Sequence, residues 1–401
     1  MKTPNDLVKT VPQLTGWRNM LPEMQQPFGA MRVVGNMDSL DDGRTLARRG
    51  GYVKVVNKAS STDLYSPAHE DGLYLLAAGT ITSYDNELAP LATKTGLTDA
   101  RLAWAEMAGH VLYAGEVDAG IFAQRVNWLP LRVPVPSSIT VNASGAGTLP
   151  AGSYLVAACY VHTVSGIAGG VRVQSLTLTE PKSIALSVAG LSGYSVDFYV
   201  SLPNGNEPYW VAQHATAHTL AALPDPPQSV PPDPDQFEAM PLPEDITGLA
   251  VFNGTVFAAT YDNEQDVSVI WHSAPFYLQC FPMAQAFDQI PAKILGMIAL
   301  RDGILAGTGE AIWLYREGVW TRLTDFGLVS GRPLAQDRDW NTVLWTTRGA
   351  VLWDNKLTAL QVEKVAVAPG DTCATVIAER NGMKQFLAVT DGEGQPWNAM
   401  P

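Results

Sequence analysis

"RDGILAGTGEAIWLYREGVW", residues 301–320, is the stretch whose reading decides the fold. Its "GTGEA" has the look of a glycine loop around a phosphate, but such a loop must run from a strand into a helix, so that amides and helix dipole face the anion. The "IWLY" that follows is apolar and too short for a helix, and it reads as a strand. The glycines are therefore turn residues. Asp302-Gly303 opens a strand, the segment from Gly307 to Gly309 turns it back, and Glu317-Gly318 turns it again, so three consecutive antiparallel strands with no ligand are expected.

The same phrasing recurs in "EDGLYLLAAGTITSYDNE" (70–87), "MAGHVLYAGEVDAGIFAQ" (107–124), "FNGTVFAATYDNEQDVSVIW" (252–271) and "RDWNTVLWTTRGAVLWDNK" (338–356). Each is a hairpin of short apolar runs between polar, glycine-bearing turns, and most are preceded by a further strand. Units of three or four strands every 40 to 50 residues point to propeller blades. Candidates fall at 30–57, 64–94, 98–133, 246–282, 291–326, 328–362 and 365–392, so the fold class expected is all-β, a β-propeller of about six or seven blades. A repeated GH…WD signature is lacking, and "LWDN" at 352–355 stands alone.

Between the third and fourth candidates the texture changes. "PLRVPVPSS" (130–138) and "ALPDPPQSVPPDPDQFEAMPLPEDI" (222–246) wall off seven short strands, and the alternation in "SYLVAACYV" with the turn in "SLPNGNEP" fits an antiparallel sandwich with one solvated face per sheet. The domain plan is an N-terminal arm over 1–28, blades over 29–133, an immunoglobulin/fibronectin-like β-sandwich insert over 134–223, a proline-rich acidic linker over 224–245, and further blades over 246–401. The linker holds eight prolines between 224 and 243 and six acids with no base between 225 and 245, which predicts an extended spacer.

The 401 residues carry 26 basic and 39 acidic side chains, a net charge of −13. That disfavours general affinity for nucleic acid or anionic membranes, since both depend on Lys and Arg. Residues 1–60 are the exception, with nine basic against five acidic side chains, net +4, which leaves −17 for the rest. Cys159, Cys280 and Cys373 have no CxxC or histidine spacing and read as buried hydrophobes made in a reducing compartment. "MKTPNDLVKTVPQ" has no apolar core, so a secretory signal is not expected, and no apolar run reaches membrane-span length, so no membrane insertion is expected either.

At this point the chain resembles the β-propeller tail proteins of tailed bacteriophages, of nozzle, hub or stabilisation type. "GAMRVVGNMDSLDDGRTLARRGGYVKV" (29–55) is similar to the family's opening, an Asn-containing strand, an Asp-Asp-Gly turn and an Arg-Arg-Pro-Gly-Tyr-like end. "MAGHVLYAG" followed by "TLPAGSYLVAACYVHTVSGIAGG" (148–170) follows its order of blade then fibronectin-like insert. "LAVFNGTVFAAT…VIWHSAPF" (249–276) and "GMIALRDGILAGTGEAIWLY" (296–315) match its returning blades. Gly50 stands where proline is common and Ser153 where threonine is common. The resemblance implies a virion tail protein made in the host cytoplasm. Its partners would be adaptor, hub or fibre proteins and further copies of itself in an oligomeric ring, with DNA only passing through a channel during ejection. A carbohydrate-binding or polysaccharide-cleaving propeller acting at the host surface is the alternative, and an exported adhesion or scaffold propeller a third, which the missing signal disfavours.

His214 and His218 stand four apart on a β pattern, about 13 Å along a strand, too far for one metal; His69, His110, His162 and His272 are scattered. Among the carboxylates a glycosidase would need, Asp38, Asp41, Asp42, Glu106, Glu116, Asp118, Glu310 and Asp325 sit mostly beside turn glycines, where they have local reasons to be. Trp104, Trp271, Trp313, Trp345 and Trp353 fall on repeat strands and are expected to fill the spaces between blades. Trp17, Trp128 and Trp397 lie outside that pattern and are the candidate subunit contacts. The expectation is a non-enzymatic protein with no catalytic, cofactor or metal site.

Overall fold

A computed structural model of the chain describes residues 60–213, 215–223, 239–284, 286–359, 369–380 and 383–391. Before them it describes four short strands, Gly16–Trp17, Ala30–Met31, Met37–Leu40 and Thr45–Arg48. Among the described residues every regular element is a strand. The fold is a β-propeller interrupted by a β-sandwich.

Five four-stranded sheets have the strand order of the sequence. The first blade holds Ser61–Tyr65, Leu73–Ala77, Thr80–Tyr84 and Pro90–Thr95, and the second Ala103–Met107, His110–Ala114, Ala119–Ala123 and Asn127–Leu129. After the insert come a third, with Gly248–Phe252, Thr255–Asp262, Val267–His272 and Phe287–Pro291, and a fourth, with Ile294–Leu300, Gly303–Thr308, Ile312–Arg316 and Val319–Arg322. The fifth holds Leu334–Gln336, Thr342–Thr346, Gly349–Trp353 and Leu357–Ala359. Most successive strands are joined by a few residues, which forces them antiparallel, and the longer connection before Phe287–Pro291 also returns its strand antiparallel.

The stretch 301–320 supplies the last three strands of the fourth blade. Its turn is placed one step later than expected. Gly307 lies inside a strand with Leu328 packed on its α-carbon. The reversal spans 308–311, where the Thr308 amide donates to the Ala311 carbonyl at 2.9 Å and the Thr308 hydroxyl accepts from the Glu310 and Ala311 amides. Glu317 and Gly318 both adopt positive φ, 52° and 82°, the conformation a two-residue hairpin requires.

The chain divides into two compact units, Lys58–Leu305 with Tyr315–Val319, and Met1–Asn57 with Ala306–Leu314 and Trp320–Pro401. In the first unit the leading strands of the second, third and fourth blades pack side by side, as innermost strands of a propeller do. One apolar cluster joins the second and third blades through Ala105, Leu112, Leu249, Val251, Val256 and Phe281. Another joins the first and second through Tyr74, Leu76, Trp104, Tyr113 and Phe122.

The insert has the seven strands expected, in a three-stranded and a four-stranded sheet. Thr140–Leu149, Lys182–Ser187 and Ala217–Leu220 form the first; Arg172–Leu178, Gly152–His162, Tyr194–Ser201 and Pro208–Ala212, in that spatial order, form the second. Alternate residues of Gly152–His162, namely Tyr154, Val156, Ala158 and Tyr160, enter the core between the sheets beside Ile184, Phe198 and Leu149. The expectation of one solvated face per sheet fails on this strand. Ala157, Cys159 and Val161, on its other face, are buried as well, because the sheet docks on the third blade.

In the second unit the hairpin Met37–Leu40 with Thr45–Arg48 brackets 41–43, where a turn was expected. Gly16–Trp17 pairs in parallel with Ala30–Met31. The candidate blade at 365–392 is described as the hairpin Thr372–Arg380 with Met383–Thr390. Ser330–Arg332 pairs in parallel with its first strand, so this three-stranded sheet is not a simple meander. Most of the linker, 224–238, lies outside the described residues.

Candidate functional site

The insert leaves the blades after Leu129 and returns at Gly248, and the residues at this junction are its most densely bonded polar group. Asp99 and Asp118 cap each other's turns. The Asp118 carboxylate accepts the amides of Thr98 (2.6 Å) and Asp99 (2.9 Å), and Asp99 accepts those of Val117 and Asp118 (2.8 Å). Beside them the Arg132 guanidinium donates from Nε to the Leu242 carbonyl at 2.9 Å and from its other nitrogens to the carbonyls of Val117 and Pro243. Burial holds its pKa below the usual value against the opposing pull of Glu244, Asp99, Asp118 and Asp245, and its donors tie outgoing and returning chain to the same turn. Backbone bonds from Asp245 to Glu116 and from Ile246 to Gly115 complete the tie.

A second bolt lies at Trp128. Its indole donates to the Tyr113 hydroxyl at 2.9 Å, the Lys94 ammonium stands 3.8 Å over its ring, and the His162 imidazole meets it edge-on at 5.8 Å. One tryptophan thus joins the first blade, the second blade and the insert. The His162 Nδ1 accepts the Ser165 amide at 3.3 Å, and burial followed by the Lys94 charge holds this histidine's pKa below its usual value.

The third contact is the docked sheet face. Gln279 donates to the Ala168 carbonyl at 2.8 Å, and Gly170 lies so close to Ala239 that a side chain there would strike its carbonyl. Cys159 and Cys280, both wholly buried, sit in the apolar clusters on the two sides. Burial, with Asp197 adding to it, pushes the Cys159 thiol up to about 12, which leaves it protonated and unreactive.

Of the carboxylates proposed for chemistry, Glu106, Asp118 and Asp325 have structural partners. Glu106 accepts the amides of Ala68 and His69 and faces His69 Nδ1, each at 3.0 Å, clasping the first blade to the second. Asp118 is the cap already described. Asp325 is exposed and pairs with Arg348 at 3.3 Å, Glu310 and Glu116 are exposed, and Asp38 pairs in its hairpin with Ala47. Asp41, Asp42, His214 and Trp397 lie outside the described residues, and of Trp17 only the backbone is described.

Trp104, Trp345 and Trp353 are buried, and Trp271, half-buried, donates to the Thr260 hydroxyl at 2.9 Å. Trp313 is half-buried on its strand. Of the other histidines, His272 stands 3.0 Å from Asp288 and packs on Phe257, His110 Nδ1 stands 3.1 Å from the Ala108 carbonyl, and His218 is half-buried in the insert. The three cysteines are buried.

Sequence reasoning missed Arg132 and Asp63. Asp63 is 7% exposed and accepts the Trp104 indole at 2.9 Å and the Leu102 amide at 3.2 Å. The available signals were a lone base inside "PLRVPVP" and an acid inside the strand "STDLY".

No family model and no curated protein matches the chain. Among solved structures, the Dos1 propeller aligns over 79% of this chain and 75% of its own, at 9% identity and a TM-score of 0.32. Hsv2 of Kluyvelomyces marxianus aligns over 82% and 89%, at 10% and 0.30, and apo AztD of Citrobacter koseri over 74% and 85%, at 13% and 0.29. At such values none of them bears on what this chain does.

Proposed function

We propose that the protein is a non-enzymatic structural component of a bacteriophage tail, a nozzle, hub or ring protein that assembles with copies of itself and with adaptor, hub or fibre proteins around the DNA-conducting channel. The observation that carries this reading is the insert junction. Arg132 ties the chain entering the insert to the chain leaving it, while the Trp128–His162 ring contact and the Gln279–Ala168 hydrogen bond join the sandwich to the blades, an arrangement suited to holding one module against another. Glu106, Asp99 and Asp118 are spent on capping and clasping, in keeping with geometry rather than turnover as the product of the fold. A strongly acidic chain also suits a channel wall, since like charge keeps DNA from adhering in transit.

The test is direct. Antibody to the purified protein is expected to label virion tails in electron micrographs, and the protein is expected to sediment as an oligomer. A strictly monomeric protein that never labels virions would sink the proposal.

A further inference from the structure

The insert is almost free of charge. Residues 134–223 contain five charged side chains, Arg172, Glu180, Lys182, Asp197 and Glu207, against 65 in the whole chain, and none occurs between Arg132 and Arg172. On a chain of net charge −13, copies repel one another everywhere that acids face acids. The insert is where two can meet without that cost.

Two features of the insert stand open to solvent without charge. At one end the loop around Val164 is bonded to the loop around Leu191, with the Thr163 amide donating to the Gly193 carbonyl at 3.0 Å. Val164 is 86% exposed, more than any other large apolar side chain among the described residues, and Leu191 is 39% exposed. Apart from Ile167, the residues between Thr163 and Gly170 and between Ala189 and Gly193 are otherwise serine, threonine, alanine and glycine, the composition of adaptable contact loops. The second feature lies on the outer face of the three-stranded sheet. There Asn142, Ala185 and Thr219 lie side by side in register, as do Ser187 and Ala217 along neighbouring positions, around a depression of about 340 Å³. No charged residue lines it.

We propose that these surfaces bind each other between copies of this chain, the Val164 loop of one seating in the Ala185 depression of the next. Knob and depression occupy different places on one molecule, so the contact is heterologous and propagates around a ring or along a filament. This inference rests on the self-assembly in the reading above and names the surface that performs it.

The experiment uses the full chain and two surface variants, Val164→Glu and Ala185→Arg, with mass measured by light scattering and folding checked by unchanged melting curves. Each variant alone is expected to be monomeric at concentrations where the wild type is oligomeric, a loss of at least tenfold in association. Mixed, they should form a dimer and nothing larger, because the Ala185→Arg copy keeps its Val164 loop and the Val164→Glu copy keeps its depression. Variants that assemble like the wild type, or a mixture that stays monomeric beside an oligomeric wild type, overturn the contact and leave the assembly reading intact. A wild type that is monomeric throughout removes the contact and the self-assembly it rests on, while virion labelling decides the tail reading separately.

Discussion

At the scale of single residues, the strongest constraint is a buried charge with designated donors. Asp63 holds the Trp104 indole and the Leu102 amide between the first two blades, and removing an acceptor there strands buried N–H groups. Asp63→Ala should lower unfolding free energy by about 2–4 kcal/mol in urea denaturation, near the upper range for a charged acceptor. Asp337 illustrates the opposite sign of burial. Burial tends to raise its pKa, but Lys384 at 2.6 Å, Asn341 and two backbone amides hold it below its usual value of 3.8. A lowered carboxylate stabilises the fold above its unfolded pKa and ceases to do so as pH falls through the folded one. Protection factors of the amides in Met383–Thr390, the strand that carries Lys384, corrected for intrinsic exchange, should therefore fall as pH drops below about 4, and Lys384→Met should remove much of that dependence.

At the scale of elements, the insert junction predicts a graded outcome. Arg132→Met keeps the aliphatic stem and loses three carbonyl partners. The expected cost is ~1–3 kcal/mol, with faster hydrogen exchange at 242–246 and little change in the fourth blade. The strands themselves were legible in the sequence because turn residues and apolar runs mark them locally, and all three in 301–320 were found. The turn at 308–311 was misplaced because Gly307 resembles a turn glycine, whereas it is required by Leu328 packing on it. The double burial of Gly152–His162 runs against the alternation read in "SYLVAACYV". "LVAACYV" shows that both faces are apolar, but not what covers the second face.

At the scale of the whole molecule, charge governs association. A protein of net charge −13 should self-associate more strongly at 0.5 M than at 0.05 M salt as repulsion is screened, and should fail to retain duplex DNA at either. Sedimentation across that series checks the first and gel retardation the second. The alternation of blades and insert could be read from texture alone, since proline walls announce a change of domain. The fastenings could not, because Arg132 and Trp128 gain their meaning from residues tens of positions away that only folding brings together.

The crossing at Arg132 has a consequence for modularity. One guanidinium reaches both the chain going out and, at Leu242 and Pro243, the chain coming back, so the two ends of the insert lie within one side-chain's span. The sandwich is accordingly a cassette. Replacing 134–241 with a short Gly-Ser bridge should yield a folded propeller in which Cys280, stripped of its cover, reacts with an aromatic disulfide reagent that leaves the intact protein untouched. The same splice site would accept a foreign domain without disturbing the blades on either side.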